Sequence, residues 1–367
     1  MKIEIYNTFN QNLRNIWVDI ESISLCSPFQ SFIWLEHWQK SVGDPLLKIS
    51  PCIVVIRDNK DVIALLPLGK RKSFGIEVLE WLGGNNTDYM CPLISKKNNL
   101  FISEFINIWD EVLEKLKPVD LVFLSKQFDL KERNPFVSRL KNKVVMNSHS
   151  SLLTEDWESF STESLSKKVL SDSRRQRRRL SELGKLSFNI ADDKDDIRKI
   201  TKIMLKQKSR RYTETGSWDM LSIGSYRDFY LNLKKNLGEL GNVHVSYLSL
   251  DNKILATHWG LVSSDRFYYL MPTHEGEGWD KFSPGKLLLE HLIKWSIDNN
   301  LKIFDLTVGD ESYKKKWSNT VSPIYEHVNP YSLAGKIYLF SQKLKEYVKK
   351  VPILGNLLKK IYNLFRE

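Results

Sequence analysis

The sequence predicts a mixed α/β protein of two units, each a largely antiparallel sheet flanked by helices, with a helical tail behind them. Three observations carry this reading. NVHVSYLSL, KILATHWGLV and RFYYLMPTH are β-rich runs separated by the turn-forming Asp251-Asn252 and residues 263–265. KFSPGKLLLEHLIKW then reads as a helix, with Leu288, Leu292 and Trp295 at helical spacing, and residues 302–306 follow as a short buried strand. Earlier in the chain, CIVVIRD and DVIALLPLGKR flank Asn59-Lys60 as the arms of a hairpin would.

Taken in order, residues 1–150 form the first unit. MKIEIYNTFNQ alternates like a strand, and Phe32, Leu35 and Trp38 mark an amphipathic helix ahead of the hairpin. LGGNNTDYMCPLI is a turn-rich break before another apolar run; 102–116 is helical by period, and DLVFLS reads as a buried strand. The second unit, 151–330, opens with SLSKKVLSDSRRQRRRLSELG. This helix sets Leu165, Val169, Leu180 and Leu183 on one face and stops at Gly184. LSFNI as a strand, a helix from Asp195 to about Lys208 and a helix at 226–237 lead into the three-strand meander.

At 367 residues, 42% hydrophobic and 27% charged, the chain has room for two domains and the composition of a globular protein. Trp17, Trp34, Trp38, Trp81 and Trp109 spread through the first third and argue for packing throughout it. Cys26, Cys52 and Cys91 are widely separated, and the seven histidines are scattered, so no metal site is expected. A sparse, odd cysteine count fits a reducing compartment, and no run reads as a signal peptide or a membrane span; the expected location is the cytoplasm. The net charge of +11 is local. Residues 166–186 carry a net +6 and residues 331–367 another +6, leaving the remainder close to neutral.

Candidate chemistry gathers late in the chain. Ser283 fits a helix cap, Pro284 the first helical position, and Gly285 leaves the backbone open. Free N–H groups there, with the helix dipole and Lys286, favour an anion such as a phosphate, although an ordinary capped helix accounts for the same residues. Gly309, Asp310, Glu311, Tyr313, Lys314 and Trp317 form a dense polar cluster at the end of the next strand. His258 is a candidate base because its ordinary pKa suits neutral pH. Its alternate neighbours, Ala256 and Gly260, are small and would leave room for a ligand; a satisfied core histidine is the competing reading. Asp305 would orient that base or bind substrate, or serve in a cap or salt bridge. Asp88 and Tyr89 would reach an acceptor from the first unit, or form a Gly-Asn turn.

LGGNNTDYMCPLI, SRRQRRRLSELG, QKSRRYTETG, ATHWGL, FSPGKLLLEHLI and FDLTVGDESYKKKW, in this order, resemble the CelD/BcsL-type family of the GNAT acyltransferase superfamily over residues 25–320. The resemblance implies two tandem GNAT-like domains, similar to the FemAB peptidyltransferases. It implies transfer of an acyl group, with acetyl-CoA as the expected donor, to an amine or hydroxyl of a sugar, nucleotide-sugar or envelope polysaccharide precursor. Ser283, Pro284, Gly285 and Lys286 would then hold the acyl-CoA, and His258 with Asp305 would move the proton. Asp88, Tyr89, Lys208, Arg211, Tyr269, Glu311, Tyr313, Lys314 and Trp317 would line the acceptor site. One departure stands out: the GNAT pyrophosphate loop R/Q-x-x-G-x-G/A is absent, and only the turn at 283–286 occupies its place.

Two alternatives stay open. Arg174, Arg175, Arg177, Arg178 and Arg179 would suit a nucleic acid, or the phosphates of an aminoacyl-tRNA used as donor in the FemAB manner. The apolar face of that helix and the near-neutral remainder argue against a DNA surface. In the tail, Leu354, Leu357, Leu358, Ile361 and Phe365 form a helical stripe among seven lysines, a pattern suited to the surface of an anionic membrane or to closure over the protein's own core.

Overall fold

The computed structural model describes residues 1–350, with side chains to 344; the tail stripe of Leu354, Leu357, Leu358, Ile361 and Phe365 lies outside them. The first half runs β1 (Lys2–Tyr6), α1 (Gln11–Ile23), α2 (Phe32–Trp38), β2 (Ile49–Pro51), β3 (Ile53–Asp58), β4 (Asp61–Leu66), β5 (Leu68–Ser73), β6 (Ile76–Trp81), β7 (Leu93–Ile94), α3 (Leu100–Ser103), α4 (Phe105–Lys115), β8 (Leu121–Gln127), α5 (Pro135–Ser138) and β9 (Asn142–Leu152). The second runs α6 (Trp157–Ser164), α7 (Lys167–Ser181), β10 (Leu186–Ala191), α8 (Lys194–Glu214), α9 (Gly224–Asn232), β11 (Asn242–Leu250), β12 (Lys253–Val262), β13 (Arg266–His274), α10 (Pro284–Asp298), β14 (Ile303–Val308), α11 (Lys314–Trp317), β15 (Thr320–Pro330) and α12 (Leu333–Lys350).

An 11-stranded sheet in the order β10-β11-β12-β13-β14-β9-β15-β8-β6-β5-β2 spans both halves, and a four-stranded sheet, β1-β3-β4-β7, lies beside it. Among the described strands β13–β14 and β6–β8 pair in parallel, each across a helical crossover carrying α10 or α4. Each half thus repeats an antiparallel hairpin followed by a helix and a parallel strand, which is the mixed α/β architecture expected. The halves also exchange strands: β9 pairs with β14, and β15 inserts between β9 and β8.

Aromatic packing explains why the halves hold together. Trp34 meets Phe229 at 4.9 Å and Phe29 meets Tyr268 at 5.6 Å between ring centroids, with Trp17, Trp34 and Trp38 fully buried. Burying each such side chain stabilises by about 1.5–3 kcal/mol. Trp81 and Trp109 are buried in a separate core around α4.

Several local expectations shift. The hairpin at Asn59-Lys60 forms, but DVIALLPLGKR breaks at Pro67, which has no N–H for a ladder; β4 joins the small sheet and β5 the large one. α7 ends at Ser181, so Leu183 lies beyond it and is 55% exposed, while Ser173 and Gln176 join Val169 and Leu180 on the buried face. α8 runs on to Glu214 and α9 stops at Asn232. β9 and β15 have no counterpart in the sequence reading.

Candidate active site

The parallel pair β13–β14 is the organising feature. Its register covers only Arg266↔Ile303, Phe267↔Phe304 and Tyr268↔Asp305, after which the strands part. A cavity of about 750 Å³ lies on the side where they diverge, lined by Tyr269 and Pro272 of β13 and by Glu311, Tyr313 and Trp317 beyond β14. Ser283, Gly285 and Lys286 line another wall, and Lys208 and Arg211 of α8 a third. Five cations (Lys168, Lys208, Arg211, Lys286 and Lys316) face three carboxylates (Asp172, Asp280 and Glu311), a surplus that suits an anionic ligand.

Pro284 occupies the first turn of α10, as its fixed φ favours. Ser283 differs from expectation. It sits in the left-handed region (φ 50°), and its side chain makes no capping hydrogen bond. The Lys286 and Leu287 N–H groups donate to the Ser283 carbonyl at 3.0 and 3.3 Å, and the Gly285 N–H has no side-chain acceptor from Ser283. Gly285 packs on His274: a Cβ there would lie 3.3 Å from the ring Cδ2, a tight fit. Lys286 lies 3.9 Å from Asp172 on α7, and burial lowers its pKa.

The polar loop after β14 is held by the exchanged strand. Asn147 of β9 donates to Asp310 at 3.0 Å, His149 contacts the same carboxylate at 3.3 Å, and Ser151 donates to the Trp317 carbonyl at 2.6 Å. Lys314 is buried and does not line the cavity. Its Nζ donates to the Val308 carbonyl at 2.5 Å and pairs with Glu311 at 3.2 Å, so it ties the loop to the end of β14.

Lys208 is the most perturbed cation of the cavity. Burial lowers its pKa from 10.5 to about 8, with Lys314 and Arg211 pushing the same way and Glu311 and Asp88 opposing. Its Nζ donates to the Pro272 carbonyl at 3.2 Å and sits 5.5 Å from the Tyr212 ring. Asp88, part-exposed in the first half, thus acts on the site through its charge.

Tyr89 and Asp305 meet each other rather than the cavity. The Tyr89 hydroxyl donates to Asp305 Oδ1 at 2.8 Å, Arg266 donates to Oδ2 at 2.9 Å, and the Thr307 N–H donates to Oδ1 at 2.8 Å. Asp305 is 1% exposed, and burial raises its pKa despite these partners. The arrangement is a latch between the halves. Tyr89→Phe is expected to cost about 1–2 kcal/mol of stability in a denaturant titration, because Asp305 keeps its two other donors.

His258 does not line the cavity either. Its ring lies flat against Tyr269, centroids 4.6 Å apart and planes 5° apart, beneath the cavity wall. It is fully buried, both ring nitrogens are without a hydrogen-bond partner, and burial drives its pKa well below the usual value. The small neighbour Gly260 makes room for this ring itself, since a Cβ there would stand 2.5 Å from His258 Cε1. The base role expected from the sequence is not supported by this placement. Lys316, Tyr212 and residues of α7 line the cavity without having been singled out; the arginine-rich helix was the one signal that pointed to α7. Among the described residues no group of three His, Cys, Asp or Glu side chains is placed to hold a metal ion.

Residues 167–315, from the start of α7 to α11, match the family described as acetyltransferase (GNAT) domain. The structure of FemX superposes with a TM-score of 0.62 at 11% identity, over 93% of this chain and 99% of that one. L-PGS from Bacillus licheniformis gives 0.55 at 13%, over 92% and 98%. The C-terminal domain of a putative lysylphosphatidylglycerol synthetase from Agrobacterium fabrum gives 0.54 at 11%, over 90% and 96%. At such identities the likeness is one of fold. No curated protein sequence matches the chain. The architecture is therefore mixed α/β, with a hairpin, helix and parallel strand repeated in each half, and residues 167–315 of the second half carry the acetyltransferase (GNAT) domain match.

Proposed function

We propose that the chain is an acyltransferase of the CelD/BcsL type, moving an acyl group, acetyl in the simplest case, from acyl-CoA to an amine or hydroxyl of a sugar, nucleotide-sugar or envelope polysaccharide precursor. The observation that carries this reading is the cationic cavity beside the parting β13 and β14, with the uncapped first turn of α10 on one wall and Lys208 on another. The donor's phosphates would rest on the α10 N-terminus and Lys286, where the Gly285 N–H and the helix dipole favour negative charge; the Lys286 and Leu287 N–H groups themselves donate to the Ser283 carbonyl. An acceptor held as an ammonium must lose a proton before its lone pair can attack the thioester carbon and expel the thiolate. Lys208, titrating near 8, takes that proton in its neutral form.

Gly285→Asp tests the donor site, because it sets a carboxylate against the expected phosphates. Calorimetry should show acyl-CoA affinity reduced about tenfold to a hundredfold, the loss expected when a charge-assisted hydrogen bond is replaced by repulsion. Unchanged affinity in a folded variant would falsify the assignment.

One observation favours a second donor, an aminoacyl-tRNA. Arg174, Arg175 and Arg178 of α7 are exposed, and Lys168 of the same helix lines the cavity. A salt titration separates the two: binding of tRNA would fall steeply with ionic strength, that of acyl-CoA weakly.

A further inference from the structure

Far from the cavity, α12 lies across the first half's part of the large sheet and carries apolar side chains on both faces. Inward, Tyr338 and Leu339 pack near Val78, Leu121, Phe123 and Val328. Outward, Leu333, Ile337, Phe340 and Leu344 recur at helical spacing and are 73%, 61%, 68% and 52% exposed. Four large apolar residues in one outward stripe are more than scattered surface hydrophobics require. A second element reaches the same place independently. The β5–β6 hairpin ends in Phe74, 84% exposed, whose ring lies 6.2 Å from Tyr338, and Ser73 and Tyr338 join their hydroxyls at 3.3 Å. The hairpin tip is thereby fastened to the helix.

The charge around this stripe is mostly positive. Lys336 and Lys343 are exposed on α12, and Lys72, beside Phe74, has its side chain 81% exposed while reaching Glu77 at 3.6 Å. By sequence, Leu333–Lys350 holds five lysines and one glutamate. No helix among the described residues is long and apolar enough to cross a membrane. An apolar stripe with lysines along its flank instead fits the interfacial plane of a bilayer: the apolar groups enter the acyl boundary while the ammonium groups reach the phosphates.

We propose that α12 and the Phe74 hairpin tip together form a docking surface for an anionic lipid bilayer. The surface is distinct from the acyl-transfer cavity, so the proposal stands or falls separately from the proposed reaction. Its source of specificity is lipid charge, and its source of depth is the four-residue stripe on α12.

The test is flotation of the full chain with vesicles of phosphatidylcholine alone and of phosphatidylcholine mixed with phosphatidylglycerol. The chain should float with the mixed vesicles only, and less at high salt. Ile337→Glu combined with Phe340→Glu should weaken that binding at least about tenfold, since two apolar groups leave the boundary and two like charges face the lipid phosphates. Both side chains point to solvent, so folding should survive; Phe74→Ser gives a milder second variant. Wild-type protein that stays unbound, or a double variant that floats equally well, overturns the proposal. Light scattering showing a dimer that Ile337→Glu dissociates, without flotation, would assign the stripe to a second copy of the chain. Flotation seen only after removal of residues 351–367 would assign it to the chain's own end. Either result also overturns the proposal.

Discussion

Replacing Lys208 by methionine is expected to lower turnover by about two to four orders of magnitude while donor binding changes little. Methionine keeps the apolar stem and removes only the titrating amine. Wild-type activity should rise with pH through about 8, as Lys208 loses its proton, and this limb should vanish in the variant. The same change should make the protein more stable at neutral pH. Burial lowers the Lys208 pKa from 10.5 to about 8, so between those values the unfolded chain binds more protons than the folded one. Stability therefore increases with pH across that window, and the cost of burying the ammonium is felt in full below it. Removing the amine should recover about 1–3 kcal/mol at pH 7, the upper figure applying where cavity water screens least. A variant that is both slower and more stable separates a working group from a structural one. Wild-type turnover with an unaltered pH profile would remove Lys208 from the reaction.

Asp305→Ala should act on the fold rather than on the chemistry. Its carboxylate accepts from Arg266, Tyr89 and the Thr307 N–H in a site almost closed to solvent. Without it, a largely buried guanidinium and a buried phenol lose their partner together, and the expected cost is about 3–5 kcal/mol. Because Tyr89 belongs to the first half and Asp305 to the second, the midpoint for unfolding should fall when followed by probes in either half. Asp305→Asn keeps one acceptor and should cost less. Loss of turnover with unchanged stability would instead place Asp305 in the reaction.

The helix from Pro284, the three-strand meander and the fold class were legible because each has a local signature. Proline at a first turn, alternation between turns and a 3.6-residue apolar period do not depend on distant residues. The cavity-lining residues Ser283, Gly285, Lys286, Glu311, Tyr313 and Trp317 fall in the same two segments, which is why a short stretch of sequence pointed to them. Strands β9 and β15 escaped for the opposite reason. β9 is rich in Asn and Ser, β15 is interrupted by Pro323, and both pair with partners from the other half. His258 misled because Gly260 reads as open space when its ring neighbours are unknown. Lys208 entered as one acceptor-site residue among nine, and nothing local in the sequence marked it as perturbed, since the shift comes from burial in the fold, with Lys314 and Arg211 brought alongside it.

The exchange of strands also sets a timetable for synthesis. β8 is complete at Gln127, but the strand that covers its free edge begins only at Thr320. β9 likewise waits for company on both sides, from β14 and from β15. Until then the nascent first half carries bare backbone donors and acceptors, the kind of edge on which foreign strands can add. Closure must come late, through contacts of large sequence separation, which makes for slow assembly. The same strand β9 anchors Asp310 and Trp317 beside the cavity. A chain halted before His327 therefore lacks part of the clasp around that strand, and translation must pass that residue before the cavity wall has its full support.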